Sequence, residues 1–119
     1  MFKLKIDTAK NRLYVTLIGF FPPIEMAKWS GETIAAAKKM KRGYDVILDL
    51  SQFKPTTPEG TKEIEKVQSF FKLSGAKQGV QVIGDNVLGG LQFKRMSVNS
   101  GFDPSNVNTL AEAEKLLGP

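Results

Sequence analysis

The run Tyr44-Asp45-Val46-Ile47-Leu48-Asp49-Leu50 constrains the fold more than any other segment. Its centre is apolar without alternation, which is the pattern of a strand covered on both faces. Such a strand needs a layer above and a layer below it, and segments of helical periodicity flank it. Before it, Met26, Trp29, Thr33, Ala36, Ala37 and Met40 recur at helical spacing. They predict a helix from about Ile24 to Lys41 that ends at Gly43. After it comes a polar loop, Ser51 to Thr57. Thr57-Pro58-Glu59 then reads as an N-cap, a proline at the first helical position and an acid in the first turn. This second helix carries Ile64, Val67, Phe70 and Phe71 on its buried side and stops near Ser74-Gly75.

The remaining segments fit around that unit. Phe2-Lys3-Leu4-Lys5-Ile6-Asp7 alternates with period two, and Leu13-Tyr14-Val15-Thr16-Leu17-Ile18 is rich in strand formers. The short polar turn Thr8 to Arg12 joins them as a β-hairpin. Phe20-Phe21-Pro22-Pro23 is read as a strand-to-helix corner packed on the core. Gly79 to Ile83 is a short strand. Gly84-Asp85-Asn86 caps a third helix containing Leu88, Leu91, Phe93 and Met96, whose pattern Gly89-Gly90 weakens. Ser100 to Ser105 is read as loop, and Val107 as a very short last strand. Thr109-Leu110-Ala111-Glu112 is a capping box opening a terminal helix through Leu117. The order is β-β-α-β-α-β-α-β-α. It predicts an α/β fold: a mostly parallel sheet of four to five strands, an antiparallel N-terminal hairpin and about four helices. The chain has 119 residues and no internal repeat or linker, so a single domain over 1–119 is expected.

Composition removes whole classes of chemistry. With no cysteine and no histidine, disulfides, thiolate nucleophiles, Ser-His-Asp and Cys-His arrangements are impossible. No metal site or cofactor is expected. The opening residues alternate apolar and charged rather than forming a signal sequence, and no run approaches the length of a membrane span. The expected location is the cytoplasm. The net charge of +5 reads as a lysine-rich surface, because aromatics do not interleave with the basic residues as stacking on nucleic acid requires. Nucleic acid is therefore not an expected partner. A homodimer through the hairpin edge stays open, with Lys3, Lys5 and Lys10 opposing it.

Several candidate sites stand out. Lys54 and Lys62 flank the start of the second helix, where free N–H groups favour an anion or an acidic partner. Lys38-Lys39-Met40-Lys41-Arg42 is read as a set of cations complementing the last turn of the first helix. Gln92, Lys94, Arg95, Ser97 and Ser100 form a polar patch on or after the third helix. In open α/β sheets, binding surfaces gather beyond the carboxyl ends of the strands. That rule nominates Ser51, Thr56, Thr57, Asp85, Asn86 and Arg95 as one contact surface. Asp45 and Asp49 share a strand face but lie roughly 13 Å apart, too wide for a carboxylate pair. Gly84 to Gly90 lacks the Gly-Lys-Ser/Thr ending of a phosphate loop, and Asp85-Asn86 lacks the spacing of a calcium loop.

Three segments, Val46 to Ser51, Thr57-Pro58-Glu59-Gly60 and Val107 to Ala113, resemble the STAS domain, the fold of bacterial anti-sigma-factor antagonists. The resemblance covers nearly the whole chain. It implies a non-enzymatic interaction module in bacterial regulation that docks a protein partner on the second helix and its preceding loop. Ser51, Lys54, Thr56, Thr57, Glu59, Lys62, Asp85, Asn86 and Arg95 are then the expected contacts. In the antagonists a serine in that turn is phosphorylated. Here Thr57, Pro58 and Glu59 stand on the Asp-Ser-Ser positions, so the usual serine switch is expected to be missing. Thr56 and Thr57 are the remaining hydroxyls. The layout also resembles the lipid-binding Sec14 type, which implies a carrier or sensor of a small ligand or lipid as the alternative.

Overall fold

The computed structural model describes residues 1–119. Its elements, in chain order, are β1 (Phe2–Asp7), β2 (Arg12–Gly19), α1 (Pro23–Ala37), β3 (Asp45–Phe53), α2 (Pro58–Leu73), β4 (Gln78–Val82), α3 (Val87–Ser100), β5 (Ser105–Val107) and α4 (Leu110–Leu117). The five strands form one sheet in sequence order. β1 and β2 are antiparallel, and β2 through β5 run parallel. The predicted α/β order is the observed one.

The sheet is covered unequally. On one face, Leu13, Val15 and Leu17 of β2 and Val46, Leu48 and Leu50 of β3 meet Met26 and Trp29 of α1, Ile64, Val67 and Phe71 of α2, and Phe93 of α3. On the other face only α4 packs, with Ala113 and Leu117 over Ile47, Val80 and Val82. Both faces of β3 are therefore buried, which is why Val46 to Leu48 shows no alternation. Edge-on aromatic contacts fix the larger layer: Trp29 to Phe93 at 6.0 Å and Phe53 to Phe93 at 5.5 Å between ring centres.

Three boundaries and one helix face differ from expectation. α1 stops at Ala37, because the amides of Lys39 and Met40 turn back to the carbonyls of Ala36 and Ala37 in a tightened i to i−3 turn. The cluster Lys38 to Arg42 thus lies past the helix rather than in its last turn, and Gly43, at φ +86°, serves the turn into β3. Ser51 to Phe53 are strand, not loop. The pairing steps from Thr16↔Asp49 to Ile18↔Gln52, so β3 carries one extra residue and its inward face resumes at Phe53. Asp49 holds this bulge by accepting from the Ser51 amide at 3.1 Å and hydroxyl at 2.7 Å. α3 runs to Ser100 and ends at Gly101, φ +77°, leaving a shorter loop than expected before β5. Finally, Leu88 and Leu91 of α3 are 67% and 40% exposed, while the two glycines between them, Gly89 and Gly90, are buried. A Cβ on Gly90 would sit 2.6 Å from the Ile83 side chain, so glycine lets α3 lie close against the sheet and its leucines turn outward.

α4 is anchored by charge as well as by packing. Arg12 is 1% exposed, and its guanidinium donates to Glu114 at 3.3 Å and to the Gly118 carbonyl at 2.8 Å. Asp45 lies 3.7 Å from the same group. Tyr14 donates to Glu114 at 2.6 Å, and that bond above all holds the Glu114 carboxyl below its usual range. Burial instead pushes the Asp45 carboxyl up, more than Arg12 and Lys77 pull it down. The two acids act with opposite sign. Glu114 contributes stability above the ordinary carboxylate range that is lost as pH falls through its lowered value. Asp45 binds a proton more readily folded than unfolded, so acid favours the folded form through it. Urea unfolding at pH 7 and near pH 3 is expected to show a smaller acid-induced loss in Glu114→Gln and a larger one in Asp45→Asn than in the parent.

Candidate contact surface at the carboxyl edge of the sheet

Parallel β2, β3 and β4 hand over to α1, α2 and α3 along one edge, and three side chains tie the handover loops together. Asn86, the N-cap of α3, accepts from the Gly89 amide at 3.2 Å. Its amide nitrogen donates to the carbonyls of Leu50 and Phe53 at the end of β3. Gln92, one turn into α3, clamps the main chain of Thr56 from both sides: it accepts from the amide at 2.8 Å and donates to the carbonyl at 3.0 Å. The Thr56 hydroxyl then donates to the Phe21 carbonyl at 2.7 Å, across to the β2–α1 corner. Thr57 caps α2, accepting from the Gly60 amide at 3.2 Å.

Gly60 belongs to the same lock. A Cβ there would lie 2.2 Å from the Thr56 hydroxyl oxygen and 2.7 Å from its methyl carbon. Thr56 cannot yield without breaking its bond to Phe21. Gly60→Ala is expected to cost about 1–3 kcal/mol in urea unfolding, the range for overpacking a fixed site.

The nine nominated residues fall into four groups. Ser51, Lys54, Asp85 and Asn86 come together, lining one shallow depression with Gln52 and Phe53. Thr57, Glu59 and Lys62 sit beside it on the first turns of α2. Arg95 lies apart: eight residues into the run from Val87, it is about 12 Å down the axis of α3. Thr56 is a correction, because its side chain is buried and committed to Phe21, so it belongs to the frame rather than the surface. Asn86 likewise spends its amide on Leu50, Phe53 and Gly89. The expected patch on α3 does not assemble either. Lys94 bonds Asp103 at 2.8 Å and the Pro104 carbonyl, Ser97 is buried, and Ser100 donates to Gln68 at 3.0 Å.

What the sequence reading missed is an apolar rim. On one side of the locked β3–α2 loop, Phe20 is 49% and Ile24 88% exposed, although the neighbouring Phe21 is fully buried. On the other side, Val87 is 65% and Leu88 67% exposed. The corner expected to pack on the core therefore divides, with Phe21 in the core and Phe20 at the surface. Lys54, Pro55, Pro58 and Glu59 lie exposed between the two apolar groups. Glu59 stands in the first turn of α2, where its fixed negative charge complements the helix dipole. No three Asp or Glu side chains converge into a metal-binding group.

A sheet of this order, with an opening antiparallel pair, three parallel strands following and four helices split three to one across its faces, is STAS-like. The fold is similar to the solved structure of the anti-sigma factor antagonist SpoIIAA in its unphosphorylated form. The two align with a TM-score of 0.62 over 95% of this chain and 93% of that one, at 11% sequence identity. No family model matches the chain, and no curated protein matches it in sequence. No helix is long and apolar enough to cross a membrane.

Proposed function

We propose that residues 1–119 form a single regulatory domain that docks a partner protein on the rim formed by the β2–α1 corner, the β3–α2 loop and the start of α3. The observation that carries this reading is the pairing of a rigid frame with an apolar surface. Phe20, Ile24, Val87 and Leu88 are exposed on either side of a loop whose main chain is fixed by Thr56, Asn86 and Gln92. Exposed apolar side chains gathered at one edge mark an interaction surface. A fixed loop loses little conformational freedom when a partner binds it. Ser51, Lys54, Thr57, Glu59, Lys62 and Asp85 supply the polar contacts around the apolar residues, and the domain acts by binding rather than by catalysis. The likeness to SpoIIAA, an anti-sigma factor antagonist, supports a protein partner of regulatory kind.

The same surface carries a constant charge where a switch would vary it. Pro58 has no hydroxyl, Glu59 is already negative, and the Thr57 hydroxyl is engaged as a helix cap. Partner binding through this rim is therefore expected to be independent of phosphorylation. Capture of partners from lysate by the wild-type chain, Glu59→Lys and Thr57→Glu, each checked to be folded by circular dichroism at the capture temperature, tests both points. A protein retained by the wild type and lost by Glu59→Lys supports the surface. One that binds only Thr57→Glu contradicts the absence of a switch, and one held equally by all three contradicts the surface.

A further inference from the structure

We propose that the free edge of β1 is a second binding site, one that accepts an extended segment of a partner protein whose residues alternate apolar and acidic. The site lies at the far side of the sheet from α3 and does not use the helix rim.

β1 is the edge strand, and its ladder with β2 fixes which main-chain groups are free. Met1 and Ile18 exchange both of their hydrogen bonds, at 2.8 and 3.1 Å. In an antiparallel ladder such pairs recur at every second residue, so Lys3, Lys5 and Asp7 bond to β2. The N–H and C=O groups of Phe2, Leu4 and Ile6 point outward instead. No side chain, loop or cap bonds to them. They form a template for one more strand, and strand addition takes its affinity from such main-chain bonds and its specificity from pockets for alternate side chains.

Pockets for alternate side chains flank this edge on both faces. Toward α1, Leu4, Ile6, Ala35 and Ala36 line a hollow of about 380 Å³ with Glu32 and Lys39 at its lip. It suits the apolar residues of an incoming strand. Toward α4, Lys3, Lys5, Tyr14, Thr16 and Leu110 line a groove of about 500 Å³ that α4 leaves open. Neither Lys3 nor Lys5 has a carboxylate partner. Glu114, the acid beside them, is already taken by Tyr14, Arg12 and Lys10. The groove therefore presents unpaired positive charge along one face of the edge, which an acidic residue at every second position of the added strand would meet.

The same lysines oppose a second copy of this chain in the two-fold register centred on Leu4. That pairing of β1 with itself sets Lys3 against Lys5 of the other copy twice, whereas registers centred on Lys5 or Ile6 bring a lysine opposite Asp7. A heterologous acidic strand escapes that repulsion.

The test uses the full chain and two terminally blocked peptides of about eight residues, long enough to span a typical strand. One alternates valine and glutamate, the other valine and lysine. Amide hydrogen exchange by NMR reports the contact residue by residue. The valine–glutamate peptide is expected to bind saturably and to protect the amides of Phe2, Leu4 and Ile6, while the valine–lysine peptide does not bind. Lys3→Glu combined with Lys5→Glu should weaken the first peptide about tenfold and admit the second. Leu4→Pro removes one outward N–H at an edge position that tolerates proline, and should abolish binding without unfolding the chain. Unprotected amides at millimolar peptide, equal binding of both peptides, or a dimer through β1 in sedimentation would each overturn the proposal. Loss of partner capture through Glu59→Lys would leave it untouched, since that substitution lies on the other surface.

Discussion

Trp29→Ala is expected to destabilise the fold by about 3–5 kcal/mol, the range for truncating a buried aromatic to alanine. Trp29 is fully buried and is among the largest such side chains in the molecule. Its ring meets Phe93 edge-on and links α1 to α3, so its loss opens a cavity at the centre of the helical layer. The indole N–H has no hydrogen-bond partner. Trp29→Phe should therefore cost much less than the alanine change, because it keeps most of the ring and removes a buried donor that nothing satisfies. Urea unfolding of both variants separates the two effects. Equal losses in the two would mean that the indole N–H is bonded in solution.

Asn86→Ala is expected to cost about 2–4 kcal/mol, combining a lost helix cap with two carbonyls left short of a partner. The side chain joins the start of α3 to the end of β3 through Leu50 and Phe53. Asn86→Asp discriminates between the two roles. Aspartate keeps the acceptor for the Gly89 amide but replaces the donating nitrogen with an oxygen aimed at two carbonyl oxygens. It is expected to be at least as harmful as alanine, although it is a good N-cap by itself. Urea titrations of the two variants check the ranking, and a mild effect for aspartate would place the value of Asn86 in the cap alone.

Much of this architecture is legible in the residues. The unbroken Val46 to Leu48 marks the doubly covered strand, Thr57-Pro58-Glu59 marks the start of α2, and Thr109 with Glu112 marks the start of α4. All three are local signals, set by neighbours a few residues apart. The end of β3 is not legible in the same way. Ser51-Gln52-Phe53 reads as loop because its extra residue breaks the alternation, and only the pairing with Ile18 and Gly19 keeps it in the sheet.

The candidate surface divides along the same line. Ser51 and Asp85 are nominated by the general behaviour of parallel sheets and Lys54 by its place before α2, and the structure gathers the three with Asn86 in one depression. Thr56 is misread because a buried threonine and an exposed one look alike in sequence. Its burial depends on Phe21, 35 residues away, and on Gln92. The exposed Leu88 and Leu91 mislead for the opposite reason. Apolar residues at helical spacing are read as core, whereas here Gly89 and Gly90 set the side of α3 that faces the sheet. Arg12 gives no signal at all as a buried cation, since its partner Glu114 is 102 residues away.

The rim is tested most directly by photo-crosslinking from single positions in the presence of the captured partner. A benzophenone side chain placed at Ile24 or at Leu88 should form a covalent adduct with that partner, and the same group at Lys115 of α4, on the opposite face, should not. Adducts formed equally from all three positions, or from Lys115 alone, would contradict docking at the carboxyl edge of the sheet.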